Sequence, residues 1–240
     1  MTASAMPKLA HSPLQARLSR LARLTPFDLA SLQAAERDQR RAPARREIVA
    51  EGEPVREQRA VLSGWACRQR ILRDGRRQIL SFLVPGDLVG VCRQANPRAA
   101  TSILAITEVV TCPLPAAEGA DSGLGEAYAA SGAVDEHYLL RNITRLGRLS
   151  AYERLADWII EMRDRLALVG LCGGDQLSVP LTQELLADAL GLTSVHVNRT
   201  LQAMRRDGLL SSRSGVVSLQ DVARLEGMVE HGPAPLPAIS

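Results

Sequence analysis

The residues from Pro180 to Leu219, PLTQELLADALGLTSVHVNRTLQAMRRDGLLSSRSGVVSL, constrain the fold more than any other stretch of the chain. Thr182 is placed to cap a short helix over Gln183 to Leu190, in which Leu185, Leu186, Ala189 and Leu190 can face a core. Gly191 breaks that helix. After a tight turn Thr193 caps a second one, with Val197, Leu201 and Met204 at i, i+4 and i+7 and with Ser194, Val195, Asn198, Arg199 and Gln202 facing outward. Gly208 ends it, and Ser212-Arg213-Ser214-Gly215 between short apolar runs predicts a hairpin. Helix, glycine turn, helix and hairpin in this order predict a winged helix-turn-helix.

The second of these helices carries Arg199, Arg205 and Arg206 and has no acidic residue from Thr193 to Arg206. Its capped N-terminus adds a positive dipole end and free N–H groups, which suit a phosphate oxygen. The competing reading is a helical hairpin with a solvated face, and it requires caps, glycines, apolar spacing and hairpin to coincide by accident. Net charge adds little, being +3 with Lys8 as the only lysine. What matters for phosphate binding is arginines gathered on one face.

Upstream, Pro13 to Arg46 reads as helical and arginine-rich, with Leu14, Leu18, Leu21 and Leu24 at spacings of three and four. Thr25-Pro26-Phe27-Asp28 is a fresh helix start, running to about Glu36. From Glu47 to Leu114 short Val, Ile and Leu runs alternate with turn residues, the pattern of a small barrel or sandwich. Asp74-Gly75 marks its clearest hairpin. Ala116 to Gly132 reads as loop and frayed helix start.

From Val134 to about Leu168 the pattern is helical again. Leu139, Leu140, Ile143, Leu146 and Leu149 form an apolar stripe, with Arg141, Arg145 and Arg148 assigned to the opposite face. Such a stripe wants a partner helix, and packing on the chain's own barrel is the alternative. Gly147 is a candidate hinge. Ser150-Ala151-Tyr152-Glu153 fits a capping box and starts another helix, with Leu155, Trp158, Ile159, Met162 and Leu166 inward.

A length of 240 residues, 46% hydrophobic and 23% charged, allows two ordinary domains and is too apolar for disorder. Cys67, Cys92, Cys112 and Cys172 have neither C-x-x-C nor zinc-finger spacing, and read as buried, reduced thiols rather than metal ligands. No stretch approaches the roughly 20 apolar residues of a membrane span, which predicts a cytoplasmic protein. No Gly-rich phosphate loop, H-E-x-x-H or G-x-S-x-G is present, so no catalytic residues are assigned.

The segment TQELLADALGLTSVHVNRTLQAMRRDGLL resembles the DNA-binding signature of the CRP/FNR superfamily of regulators. Leu62 to Ala66, Asp74 to Ile79, Pro85 to Gly90 and Ser150 to Ala156 resemble its other segments in the expected order. The resemblance implies an α+β fold: a cyclic-nucleotide-binding-type β-roll, a long dimerisation helix and a C-terminal winged helix-turn-helix. The corresponding boundaries are an N-terminal arm (1–24), β-roll (25–132), dimerisation helix (133–149), DNA-binding domain (150–230) and flexible tail (231–240). It further implies a homodimer on a palindromic operator in double-stranded DNA, with RNA polymerase as a partner. Leu139, Leu140, Ile143 and Leu146 would form the dimer seam. Ser194, Val195 and Arg199 occupy the family's base-reading places; Thr182, Gln183, Thr193 and His196, with Arg213 in the wing, fall on phosphates.

Two departures qualify this. Valine stands at position 195 where the family often has glutamate, exchanging a cytosine acceptor for a group that can touch a thymine methyl. The loop Pro85 to Val91 lacks the glutamate of the cyclic-nucleotide branch, and Arg98 is followed by Ala99-Ala100-Thr101 instead of Ser or Thr. This predicts no bound cofactor, and a small effector other than cAMP if there is one. The members that bind an iron–sulfur cluster gather cysteines near the N-terminus, and none occurs here before Cys67. A regulator that needs no effector, or answers redox state through its cysteines, is the alternative.

Overall fold

The computed structural model describes residues 11–90, 96–119, 121–213, 215–229, 232, 234, 236 and 237. Cys92, Val91, Ser214 and most of the expected tail lie outside them. Helices α1 (Pro13–Leu18) and α2 (Pro26–Ala35) are followed by strands β1 (Arg40–Ala42), β2 (Glu47–Val49), β3 (Arg59–Ser63), β4 (Ala66–Ile71), β5 (Arg77–Leu83), β6 (Leu88–Val89), β7 (Ser102–Ala105) and β8 (Val109–Pro113). Then come α3 (Leu124–Arg148), α4 (Ala151–Leu168), β9 (Gln176–Ser178), α5 (Gln183–Leu190), α6 (Ser194–Arg206), β10 (Leu210–Arg213), β11 (Val216–Leu219) and α7 (Val222–Gly227).

The strands from β1 to β8 build two antiparallel four-stranded sheets, β1-β8-β3-β6 and β2-β7-β4-β5. Alternation puts Val61, Val89 and Val109 of the first sheet against Ala66, Leu83, Ile103 and Ala105 of the second, forming the barrel core. Gly75, at φ 85°, makes the expected turn between β4 and β5. The outer face of the first sheet is covered by α1 and α3, through Leu14, Leu18, Leu124, Tyr128 and Tyr138. The outer face of the second belongs to the C-terminal half. Trp65, Cys67, Ile79 and Phe82 share one buried cluster with Leu155, Trp158 and Ile159 of α4 and Leu186 and Leu190 of α5. The Phe82 ring stands edge-on to Trp65 and Trp158, at 6.1 and 5.6 Å between centroids.

Several boundaries differ from the sequence reading. Within the expected arm, Leu14, Leu18 and Leu21 are buried against the first sheet and α3. Arg40 to Ala42 do not continue a helix. They pair with Thr111, Val110 and Val109 of β8, after turn bonds from Arg37 to Ala34 and from Asp38 to Ala35 close the end of α2.

The long helix α3 starts at Leu124 rather than at 133, because Asp28 anchors its first turn. The Asp28 carboxylate already closes the Thr25 capping box, and it also accepts from the Gly123 N–H at 3.1 Å and the Ser122 hydroxyl at 2.8 Å. A side chain on Gly123 would collide with the Arg23 carbonyl, 2.2 Å from where its Cβ must lie. Gly147 stays helical. The break falls at Leu149, whose extended backbone (φ −83°, ψ 146°) precedes the Ser150–Glu153 capping box of α4.

Candidate nucleic-acid interface

Local signals set the two helices that carry the candidate interface. The Thr182 hydroxyl oxygen accepts from the Leu185 N–H at 3.2 Å, and Thr193 does the same for His196 at 3.2 Å. Each cap uses an acceptor lone pair, leaving the hydroxyl proton of Thr182 and Thr193 available to a phosphate oxygen. Gly191, at φ 63°, terminates α5 in the left-handed conformation and turns the chain into α6.

Val197 and Met204 bury the inner face of α6 completely, and the Thr200 hydroxyl donates back to the His196 carbonyl at 2.8 Å. The outer face is free. Val195 is 66% exposed, His196, Arg199 and Gln202 are exposed, and Ser194 and Asn198 are half-buried. Arg199, Arg206 and Arg213 make no side-chain hydrogen bond or ion pair among the described residues. Ser194, Val195 and Arg199 therefore lie on the outward side of α6, and Thr182 and Gln183 at the start of α5 are exposed. Arg213 ends β10, in the three-stranded sheet β10-β11-β9 that forms the wing.

Sequence reasoning missed two contacts here. Arg205 donates from Nη2 to Ser212 Oγ at 2.5 Å, tying α6 to the wing. Gln202 Nε2 donates to Asn198 Oδ1 at 3.4 Å, orienting that amide on the exposed face, and the i, i+4 spacing was the available signal.

The apolar stripe on α3 is exposed: Leu139, Leu140 and Ile143 show 39%, 58% and 67% of their surface, and Leu146 is half-buried beside the Gly191 turn. Two of the arginines assigned to the face opposite the stripe turn inward onto α4. Arg145 is buried and pairs with Asp157 at 2.6 Å and Glu161 at 2.5 Å, while Arg141 pairs with Asp157. Arg148 is exposed.

The barrel holds a cavity of about 940 Å³ lined by Arg46, Arg59, Arg68, Arg98, Leu83 and, from α3, Leu139. Arg98 donates to the Gly52 carbonyl at 2.8 Å. Burial pushes the Cys67 and Cys112 thiols up to about 11, and raises Cys172 also. Cys67 and Cys112 are enclosed thiols, poor nucleophiles and poor metal ligands, whereas Cys172 is only half-buried, which corrects the expectation of a buried thiol there. Among the described residues no cluster of His, Cys, Asp and Glu is arranged to hold a metal ion, and no helix is long and apolar enough to cross a membrane.

Residues 153–228 match the Crp-like helix-turn-helix domain, and residues 39–119 match the cyclic nucleotide-binding domain. The chain is 33% identical over 184 residues to the nitrogen fixation regulation protein FixK of Bradyrhizobium diazoefficiens, covering 70% of this chain and 72% of that one. It is 32% identical over 176 residues to the transcriptional activator protein FnrL of Cereibacter sphaeroides, covering 69% and 70%. The solved structure of FixK2 from Bradyrhizobium japonicum superposes with a TM-score of 0.70 at 26% identity, covering 81% of this chain and 98% of that one. With a β-roll, a long helix and a winged helix-turn-helix in the same order as these relatives, the chain belongs to the CRP/FNR family of DNA-binding transcription regulators.

Proposed function

We propose that the chain acts as a homodimer, paired through Leu139, Leu140, Ile143 and Leu146 of α3, that binds a palindromic operator. Each α6 enters a major groove with Ser194, Val195 and Arg199 toward base edges. Thr182, Gln183, Thr193, His196 and Arg213 lie on phosphates. The observation that carries this reading is the exposed outer face of α6, where Arg199 makes no hydrogen bond or ion pair among the described residues and Val195 is open to solvent. A guanidinium left free at the protein surface suits a bidentate grip on guanine O6 and N7.

The name of FnrL, a transcriptional activator, supports RNA polymerase as a further partner. The setting is the cytoplasm, where the operator is. The arginine-lined cavity is the place for a small effector other than cAMP. A mobility-shift assay with DNA from upstream of the chain's own gene tests the central claim. The expected result is a specific complex that weakens as salt rises; its absence on that DNA and on a random-sequence pool would overturn the reading.

A further inference from the structure

We propose that Arg77 and Gln78 on β5 and Asp188 on α5 are positioning residues for operator recognition. They clamp the helix-turn-helix to the barrel and fix the spacing at which a dimer's recognition helices meet their half-sites, an inference that rests on the dimeric DNA-binding reading above.

Arg77 donates to Asp188 Oδ2 from Nε at 2.7 Å and approaches it from Nη2 at 2.6 Å. Next to it, Gln78 Nε2 donates to the Asp188 carbonyl at 3.0 Å. The side chain and the backbone of one α5 residue are thus both held by adjacent residues of one strand. Within α5 itself an acid at this place is unfavourable, because Asp188 sits in the last turn, where the helix dipole is negative and no basic residue is present. Its partner lies across the boundary between barrel and DNA-binding domain.

Beneath the clamp, Cys67, Ile79 and Phe82 of the sheet share a buried cluster with Leu186, Ala187, Ala189 and Leu190. Apolar contact of this kind adheres without direction. A charged fork aimed at one oxygen supplies direction. Charge ties α4 to α3 and to the barrel through Asp157, Glu161 and Arg165, but those contacts stop short of the helix-turn-helix. Among the described residues Arg77 makes the barrel's one ion pair with α5, so the clamp extends that hold to the helix-turn-helix itself. In the clamped arrangement Val195 and Arg199 face solvent, so the clamp leaves the reading face uncovered.

Fixed orientation has a measurable consequence in a dimer. Half-sites lie about one helical turn apart, and one inserted base pair shifts and rotates a half-site by roughly a tenth of a turn. The test takes the palindrome that the wild-type dimer selects from a random pool, together with versions shortened and lengthened by one base pair between half-sites. Wild type should bind both altered spacings about tenfold more weakly. Arg77→Gln and Asp188→Asn should bind the selected spacing several-fold more weakly and treat all three spacings nearly alike, with base preference within each half-site unchanged.

The exchanged pair Arg77→Asp with Asp188→Arg should restore spacing discrimination, a rescue that general destabilisation would not give. If Asp188→Asn does not fold, Arg77→Gln on the barrel carries the test. Wild type that selects no DNA would overturn the functional reading itself. Specific binding with spacing discrimination intact in the single variants, at any affinity, would overturn the clamp alone.

Discussion

Arg145 in α3 and Asp157 in α4 form a buried ion pair, with Nε 2.6 Å from Oδ2, and this pair determines which face of the long helix meets solvent. By turning Arg141 and Arg145 inward onto Asp157 and Glu161, the chain leaves Leu140 and Ile143 outside. A helix that buries cations and exposes leucines reverses the pattern of a monomeric surface helix. The network extends further. Arg165 bridges Glu161 at 3.1 Å and the fully buried Asp87 at 2.5 Å, and Asp87 also receives Arg17 at 2.7 Å, so α1, the barrel, α3 and α4 are joined by charge.

The first prediction concerns acid stability. Burial pushes the Asp157 carboxyl up, but the Arg141 hydrogen bond and the charge of Arg145 outweigh it and hold the group below its ordinary value of 3.8. A carboxyl depressed in the folded state contributes stability that is complete above its unfolded pKa and is lost as pH falls through the folded one. Asp157→Asn should therefore cost about 3 kcal/mol at pH 7, because Arg141 and Arg145 both lose a carboxylate while Glu161 still faces Arg145, and should flatten the loss of stability below about pH 4. Urea denaturation followed by circular dichroism at pH 7 and pH 3 checks both; equal losses at the two pH values would contradict the assignment.

The second prediction addresses the exposed stripe. Ile143→Asp should turn dimers into monomers in sedimentation equilibrium, while the melting temperature of the protomer stays close to wild type, since Ile143 is 67% exposed and supports no intramolecular core. A dimer that persists would move the interface to another surface.

What the sequence shows clearly is what neighbouring residues decide. Thr182, Thr193, Gly191 and Gly208 act within a few positions of themselves, and α5, α6 and the wing emerge where those residues placed them. The start of α3 was hidden because Asp28, which fixes it, lies 95 residues from Gly123. Arg141 and Arg145 lie opposite the stripe, but their ion pairs were hidden because their acids sit on the next helix, and periodicity reports that a residue is polar without naming its partner. The clamp between Arg77 and Asp188, spanning 111 residues, left no local trace at all.

The third prediction concerns the cavity. Arg98, already spent on the Gly52 carbonyl and not followed by a hydroxyl residue, is not set up as the phosphate grip of a cyclic nucleotide. Calorimetry should detect no binding at millimolar cAMP. Micromolar binding accompanied by a matching rise in DNA affinity would refute it and would require Arg98 to leave Gly52 for the phosphate.

The fourth prediction separates base reading from phosphate holding. Arg199 projects from α6 beyond the capped N-terminus, exposed and without a contact among the described residues. If its guanidinium grips a guanine edge, Arg199→Ala should cost about 1–3 kcal/mol per half-site and flatten preference at one base pair of each. A dimer loses the contact twice. Arg213, at the end of β10 in the wing, meets only phosphate in the proposed arrangement. Arg213→Ala should then weaken all sequences alike and lower the slope of log affinity against log salt by about one unit per contact. Affinities for single-base operator variants at several salt concentrations resolve the two roles. Unchanged affinity and base preference in Arg199→Ala, with an altered base position in Arg213→Ala, would transfer base reading from α6 to the wing.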